Sequence, residues 1–173
     1  LEFRRVLFRS GKPLEKNMSA SLHDMGDGVL LYEFHSKMNA IDADMVAMGN
    51  KALEYLDKDE WVGLVMGNNG KDFCVGANVA VVAMGAAQGA WDQVETGIKD
   101  LQELTYNLRH SSKPVVTAPH QRVLGGGVEM TMAGWESVAD HETYLGLVEV
   151  GVGLIPAGGG LKELLRRKMN PVM

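Results

Sequence analysis

The sequence contains few of the residues on which several classes of protein depend. Cys74 is its single cysteine, which excludes an internal disulfide framework and a cluster of thiolate metal ligands. The five histidines are scattered without the spacing of metal ligands, so we predict no metal site. No apolar run approaches the roughly 20 residues that span a bilayer. We therefore expect a protein without a membrane span, located in a reducing compartment, the cytoplasm.

Runs of positive charge are also missing. The formal net charge is −5, and no run of lysine and arginine alternates with aromatic residues. Nucleic acids bind mainly to cationic surfaces that contact phosphate, so we expect no nucleic-acid partner. Glycine, in contrast, is abundant, with 21 residues and triplets at 125–127 and 158–160. Such clusters are typical of places where the backbone approaches a ligand or leaves N–H groups free.

Hydrophobic patterns along the chain predict an alternation of strands and helices. The order strand, helix, strand, helix, strand, helix is typical of an α/β fold. One helix has a plausible N-cap at Asp42. The predicted elements are strand 28–34, the helix that Asp42 caps, strand 61–66, helix 91–109, strand 114–118, a helix after the glycines at 125–127, short strands near 137 and 144, and helix 161–168.

The segment KDFCVGAN, residues 71–78, is the first candidate for chemistry. The small residues Gly76 and Ala77 let a ligand approach the main chain, so the Ala77 N–H could point at a substrate oxygen. An ordinary tight connection fits the same pattern. Cys74 has no basic neighbour at useful spacing, which argues against a nucleophilic thiolate.

The segment LGGGVE, residues 124–129, places three glycines at the start of a predicted helix. Free N–H groups at the positive end of a helix dipole suit an anion or a developing oxyanion. Glu129 then lies on the first turn beside Val128 and Met130, where apolar surroundings raise the pKa of an unpaired carboxyl. A solvent-facing glutamate that favours the helix dipole is the alternative.

Glu149 is the single charged residue in the thirteen residues 144–156. A surface loop is rarely so apolar, so we expect Glu149 to be buried or to line a pocket, and a buried glutamate needs a partner or a role. Residues 151–156, GVGLIP, resemble a dinucleotide-binding G-x-G-x-x-G, but Pro156 replaces the last glycine. We predict no cofactor site within this chain.

Four segments in the same order resemble the crotonase (enoyl-CoA hydratase/isomerase) superfamily. They are HSKMNAID at 35–42, KDFCVGAN at 71–78, KPVVTAPHQRVLGGGVE at 113–129 and YLGLVEVGVGLIPAGGG at 144–160. The resemblance covers about residues 20–168 and implies an α/β fold with a crotonase-like ββα spiral core, truncated before the C-terminal helices. It implies an acyl-CoA thioester as substrate and addition of water to 2-enoyl-CoA in fatty-acid β-oxidation.

The resemblance also implies roles for individual residues. The amides of Ala77 and Gly126 would form an oxyanion hole for the thioester oxygen. Glu129 would orient and deprotonate water, and Glu149 would deliver a proton to the α-carbon. The residues expected to contact coenzyme A are Lys37, Met38, Asn39, Ala40, Lys71, Phe73 and Val75.

The wording of CVGAN and GLVEVGVGLIP resembles the hydratase module of bifunctional 3-hydroxyacyl-CoA dehydrogenase/enoyl-CoA hydratase proteins. That resemblance implies a homo-oligomer or a larger bifunctional chain, with NAD only in a dehydrogenase domain outside this sequence. We interpret residues 1–10 as a non-native leader, 11–24 as the remains of an interdomain connection, and 25–173 as a partial crotonase domain.

One departure and three alternatives remain. Gln121 stands where the family usually has glycine. Within the same fold, an enoyl-CoA isomerase or an acyl-CoA hydrolase fits the motifs. A non-catalytic acyl-CoA-binding module is a further alternative, but such a module has no need for a second buried carboxylate.

Overall fold

The computed structural model describes residues 12–169, which form two β-sheets surrounded by helices. The strands are β1 (Glu15–Lys16), β2 (Ala20–Asp24), β3 (Val29–Phe34), β4 (Gly63–Gly67), β5 (Val115–Thr117), β6 (Arg122–Leu124), β7 (Glu136–Ser137) and β8 (Tyr144–Gly146). The helices are α1 (Ala43–Leu56), α2 (Val79–Ala87), α3 (Trp91–Arg109), α4 (Gly126–Ala133) and α5 (Gly160–Met169), with short 3-10 turns at Lys37–Asn39 and Glu149–Val152. The predicted leader, residues 1–10, lies outside the described residues.

The main sheet has the order β1-β2-β3-β4-β5-β7. Strands β1, β2 and β3 are antiparallel, whereas β3, β4, β5 and β7 are parallel. The carboxyl ends of β3, β4 and β5 therefore lie at one edge, where ligands of parallel sheets commonly bind. The segments after these strands contain residues 37–40, 71–78 and 119–122. The smaller sheet pairs β6 with β8 in parallel.

The sequence predicts the remains of an interdomain connection at residues 11–24. The described part of this segment contains β1 and β2, and β2 pairs with β3 along its whole length. Ala20 and Leu22 are fully buried in the core. Ser19, Ser21 and His23 are adjacent to these two residues and obscured the short apolar alternation in the sequence. Ser19 and Ser21 are nevertheless buried as well.

Helix α1 begins as the sequence predicts. The Asp42 carboxylate accepts a hydrogen bond of 2.9 Å from the Met45 N–H, which satisfies one free donor of the first turn. The apolar face packs into the core, and the Tyr32 hydroxyl donates a 2.5 Å hydrogen bond to the Met45 carbonyl. Its apolar residues at helical spacing, Met45, Met48, Ala52 and Leu56, are buried, and Leu53 packs against the core.

Helix α2 is absent from the sequence prediction. Its residues, VAVVAMGAA, include three β-branched valines and have no polar face, so the apolar periodicity of a helix is missing. None of its residues is buried, and Val81 and Met84 are more than half exposed. The helix is therefore an apolar surface element that the pattern of hydrophobic residues does not identify.

Candidate active site

Two backbone amides lie side by side because a loop pairs with β6 in a parallel register. Cys74 forms a parallel bridge with Val123, and the Leu124 N–H donates a 2.9 Å hydrogen bond to the Cys74 carbonyl. Ala77 lies three residues after Cys74 in the loop, and Gly126 lies three residues after Val123. A Cβ atom on Gly126 would lie 3.4 Å from the Ala77 nitrogen, which confirms that the two amides are neighbours.

Neither of these amides has a hydrogen-bond acceptor among residues 12–169. The Ala77 N–H precedes α2, and the Gly126 N–H is the first of α4, where no earlier helical carbonyl is available. The carbonyl of Gly76 instead accepts from the Ile41 N–H at 2.8 Å, which fixes the loop. The pair can therefore donate two hydrogen bonds to one oxygen atom, the arrangement of an oxyanion hole.

Glycine is required at the start of α4 by close approach. A Cβ atom on Gly127 would overlap the Cys74 carbonyl oxygen, and Gly125 has a φ of +53° that L side chains rarely adopt. The glycine triplet therefore allows the loop that carries Ala77 to lie directly against the helix.

Glu129 lies on the first turn of α4, a helix whose eight residues are all buried. Its side chain is buried, so the alternative interpretation of the sequence, a solvent-facing glutamate, is wrong. One carboxylate oxygen accepts a 2.8 Å hydrogen bond from the Gly160 N–H, and Gly158 packs against the same group. Burial and the nearby charge of Glu149 raise the pKa of Glu129, and the Gly160 N–H opposes this shift in part.

Glu149 also lies close to the N-terminus of α4. It begins the 3-10 turn Glu149–Val152, and its Oε1 atom lies 3.2 Å from the position of a Cβ atom on Gly125. Its Oε2 atom is buried and accepts no hydrogen bond from residues 12–169. The structure thus brings together Glu129, Glu149, Ala77 and Gly126, the four residues that the sequence predicted for the reaction.

The apolar segment around Glu149 is largely exposed. Val150 and Ile155 expose 77% and 72% of their surface, so this is an apolar surface loop of the kind that we expected to be rare. Glu149 itself is half-buried, and its Oε2 atom is buried. Residues 151–153 continue the 3-10 turn and do not join a strand to a helix, unlike a dinucleotide-binding loop.

The segments predicted to contact coenzyme A lie close together. Asn39 is buried, and its side-chain amide donates a 2.8 Å hydrogen bond to the Asp72 carbonyl. Met38 and Asn39 both have left-handed backbone, with φ of +58° and +52°. Residues of both segments line a cavity of about 580 Å³ that opens to solvent. Among its lining residues are three of the predicted contacts, Met38, Asn39 and Lys71.

The remaining predicted contacts differ in accessibility. Lys37 is exposed, and Ala40 and Val75 are half-buried. Phe73 is fully buried and packs edge-on against Phe34 at 5.5 Å between ring centroids. Its N–H donates to the His120 carbonyl and its carbonyl accepts from Asn68, so Phe73 supports the loop from the core.

The sequence interpretation missed a bidentate ion pair at the same cavity. Arg122 donates two hydrogen bonds of 2.7 Å to the Asp72 carboxylate. The guanidinium holds the pKa of Asp72 below its usual value, although burial opposes this effect. The pair joins β6 to the loop that carries Ala77. Spacing gives no signal for it, because the partners are 50 residues apart.

An apolar cavity of about 520 Å³ lies beside Ala77, between helices α1, α2 and α3. Cys74, in contrast, is fully buried away from both cavities, and burial raises the pKa of its thiol to about 12. This value is consistent with the prediction that Cys74 is not a nucleophile. Among residues 12–169, no group of three metal-binding side chains converges, and no helix is both long and apolar enough to cross a membrane.

Comparisons with known proteins agree with this geometry. The sequence profile of the family described as enoyl-CoA hydratase/isomerase matches residues 28–170, and the chain belongs to that family. A probable 3-hydroxyacyl-CoA dehydrogenase of Bacillus subtilis is 47% identical over 163 residues, covering 92% of this chain and 20% of the relative. The fatty acid oxidation complex subunit alpha of Shewanella baltica is 31% identical over 162 residues, covering 88% of this chain and 22% of that protein.

Solved structures show the same fold. The putative enoyl-CoA hydratase of Streptomyces coelicolor superposes with a TM-score of 0.79 at 22% identity, covering 91% of this chain and 58% of that one. The predicted resemblance to the crotonase superfamily and the predicted α/β crotonase-like fold are therefore confirmed. The chain spans about a fifth of the length of the two relatives named above.

Proposed function

We propose that this chain adds water across the double bond of 2-enoyl-CoA thioesters, as an enoyl-CoA hydratase of fatty-acid β-oxidation. The observation that carries the proposal is the position of the Glu149 carboxylate against Gly125, at the N-terminus of the helix that carries both Glu129 and the free amide of Gly126. A binding module would need the amides but not two inward-turned carboxylates. Family membership supports the acyl-CoA substrate.

The amides of Ala77 and Gly126 polarise the substrate in this proposal. Two N–H groups that donate to the thioester oxygen make the β-carbon electrophilic and stabilise the enolate that follows. Gly126 is the first residue of the buried helix α4, which adds the positive end of its dipole. Removal of one such donor typically costs ~10²–10³ in rate.

The glutamates divide the two proton transfers. Glu129 accepts a proton from water as the hydroxyl oxygen bonds to the β-carbon, and Glu149 gives a proton to the α-carbon. One water is consumed, and transfer of a proton from Glu129 to Glu149 through solvent restores both carboxyl groups for the next turnover. A raised pKa suits Glu129 as a general base near neutral pH.

Coenzyme A would lie along the cavity between residues 37–40 and 71–75. Its predicted contacts are Lys37, Met38, Asn39, Ala40, Lys71 and Val75, with Phe73 acting through the backbone position of its loop. The acyl group would extend toward the apolar cavity beside Ala77, lined partly by Val46, Val94 and Ile98. No cofactor enters the reaction, because both proton transfers use protein carboxylates.

For the whole protein, we propose a bifunctional enzyme in the cytoplasm that also contains a 3-hydroxyacyl-CoA dehydrogenase domain using NAD. The name of the Bacillus subtilis relative supports this arrangement. The Shewanella relative, a fatty acid oxidation complex subunit, supports assembly into a larger complex or a homo-oligomer.

Hydration of crotonyl-CoA by the full-length protein tests this function. Loss of crotonyl-CoA absorbance is expected with wild type, and Glu129→Gln and Glu149→Gln should each lower kcat at least roughly 100-fold. Glu142→Gln is the matched control, because Glu142 is an exposed glutamate near the same segment. Unchanged turnover in both active-site variants would refute the mechanism.

A further inference from the structure

Arg109, the last residue of α3, contacts two helices that converge on Glu129. Its Nη1 atom donates to the carbonyls of Met132 at 2.9 Å and of Gly134 at 2.7 Å, at the C-terminal end of α4. Its Nη2 atom donates to Glu163 of α5 at 3.0 Å. The Arg109 and Glu163 side chains expose 17% and 15% of their surface.

The contact with α4 satisfies groups that would otherwise be costly. All eight residues of α4 are buried, and the last carbonyls of a helix have no partner within it. A guanidinium at this end also interacts favourably with the negative end of the helix dipole. Arg167 of α5 also donates to the Met132 carbonyl, at 3.2 Å, whereas the Gly134 carbonyl accepts from Arg109. Arg109 therefore fixes, together with Arg167, the end of the helix whose first turn carries Glu129.

Arg109 also contacts α5, the helix that begins at Gly160, the hydrogen-bond donor to Glu129. Glu163 lies one turn beyond Gly160, whose N–H donates to the Glu129 carboxylate at 2.8 Å. One guanidinium thus connects the helix of the carboxylate to the helix of its hydrogen-bond donor. Glu129 also borders the cavity of about 470 Å³ that Arg109 lines.

We propose that Arg109 is a positioning residue for Glu129, which it holds in register with the Gly160 N–H by joining the C-terminal end of α4 to α5. The inference rests on the proposed hydratase function. Within residues 12–169, Arg109 donates no hydrogen bond to the segments proposed to bind coenzyme A. Its loss therefore changes the alignment of the carboxylate and leaves binding of the thioester intact.

Arg109→Ala in the full-length protein tests this inference. We expect kcat for crotonyl-CoA hydration to fall roughly 10-fold to 100-fold, the cost of a small misplacement of a reacting group. KM should stay within about twofold of wild type, since interactions made only in the transition state lower kcat without raising KM. Hydrogen exchange of residues 158–163 should become faster, and millimolar guanidinium, but not urea, should restore part of the rate.

The matched control is Arg166→Ala. Arg166 pairs with the same Glu163 carboxylate, at 2.9 Å, but donates no hydrogen bond to α4 within residues 12–169, so kcat should equal that of wild type. If Arg109→Ala does not fold, Arg109→Lys carries the test, because one ammonium cannot reproduce the three hydrogen bonds. An intermediate kcat at unchanged KM is then expected.

The failures are distinguishable. If wild type is active and both Arg109→Ala and Arg109→Lys keep the kcat of wild type, only the inference is overturned. The inference is also overturned if Arg109→Ala raises KM without lowering kcat, or if Arg166→Ala lowers kcat as much as Arg109→Ala does. A wild type that does not hydrate crotonyl-CoA overturns the proposed function and this inference together.

Discussion

The carboxylate of Glu129 accepts a hydrogen bond from the Gly160 N–H while Gly158 packs against the same carboxylate. The glycines at 158–160 therefore shape the surroundings of Glu129, which lies two residues after the glycines at 125–127. A side chain at position 158 would overlap the carboxylate, and one at position 160 would lie 3.0 Å from its Oε1 atom. This relationship gives the glycines at 158 and 160 a role in the proposed reaction.

Gly158→Ala should lower kcat strongly, because the new methyl group displaces the Glu129 carboxylate. We expect a loss of roughly 100-fold in kcat for crotonyl-CoA hydration, as for a misplaced catalytic group. Gly151→Ala is the control, since a Cβ atom there meets nothing within 4 Å. Equal rates in the two variants would show that the packing against Glu129 has no role.

The pKa of Glu129 makes both activity and stability depend on pH. As a base, Glu129 must be ionised, so kcat/KM should fall as the pH drops through its raised pKa, at a higher pH than for an ordinary glutamate. The raised pKa also means that folding stability decreases as the pH rises from the ordinary glutamate value to the folded-state value.

Glu129→Gln should remove this stability change, because glutamine does not ionise. Thermal unfolding of wild type and Glu129→Gln across that pH range measures it. A Tm difference between the two proteins that does not vary with pH would contradict the raised pKa.

Gln121 has a φ of +50° and an exposed side chain, so its backbone is in the left-handed region that glycine favours. Gln121→Gly should raise the free energy of unfolding by about 1 kcal/mol, the cost of this region for an L residue. Denaturant unfolding provides the measurement, with Gln121→Ala as control. If alanine stabilises as much as glycine, relief of backbone strain is not the cause.

The ion pair of Arg122 and Asp72 should support binding of the thioester. Arg122→Met leaves the buried Asp72 carboxylate without its partner and loosens the loop between residues 71 and 77, so KM should rise about 10-fold. The double variant Asp72→Asn, Arg122→Met should lose less than the sum of the single losses. Strictly additive losses would show that the two side chains act independently.

The site was predictable from the sequence wherever a motif fixes the backbone. The register between Cys74 and Val123 brings together two segments whose glycines had already indicated free amides. Pairing across long separations gave no signal, so Arg122 with Asp72 and Arg109 with Glu163 were not identified. Hydrophobicity alone misled in two places, because α2 and the segment around Val150 are apolar and exposed.

Strands β1 and β2 are absent from the sequence prediction. Strand β2 contains a serine, a histidine and an aspartate, and its burial depends on pairing with β3, a tertiary contact that local composition does not encode. The turn between them contains Gly26, Asp27 and Gly28, all with positive φ. This glycine-rich turn was the available sequence signal for a hairpin.

The most direct test of the account is the fate of solvent oxygen when the full-length protein converts crotonyl-CoA in oxygen-18-labelled water. The proposed mechanism predicts that the label appears in a hydroxyl group on the β-carbon of the product. Glu129→Gln should abolish this incorporation. Label in a free carboxylate would instead indicate thioester hydrolysis, and a product without label would indicate isomerisation. Either result would contradict hydration by Glu129 and Glu149.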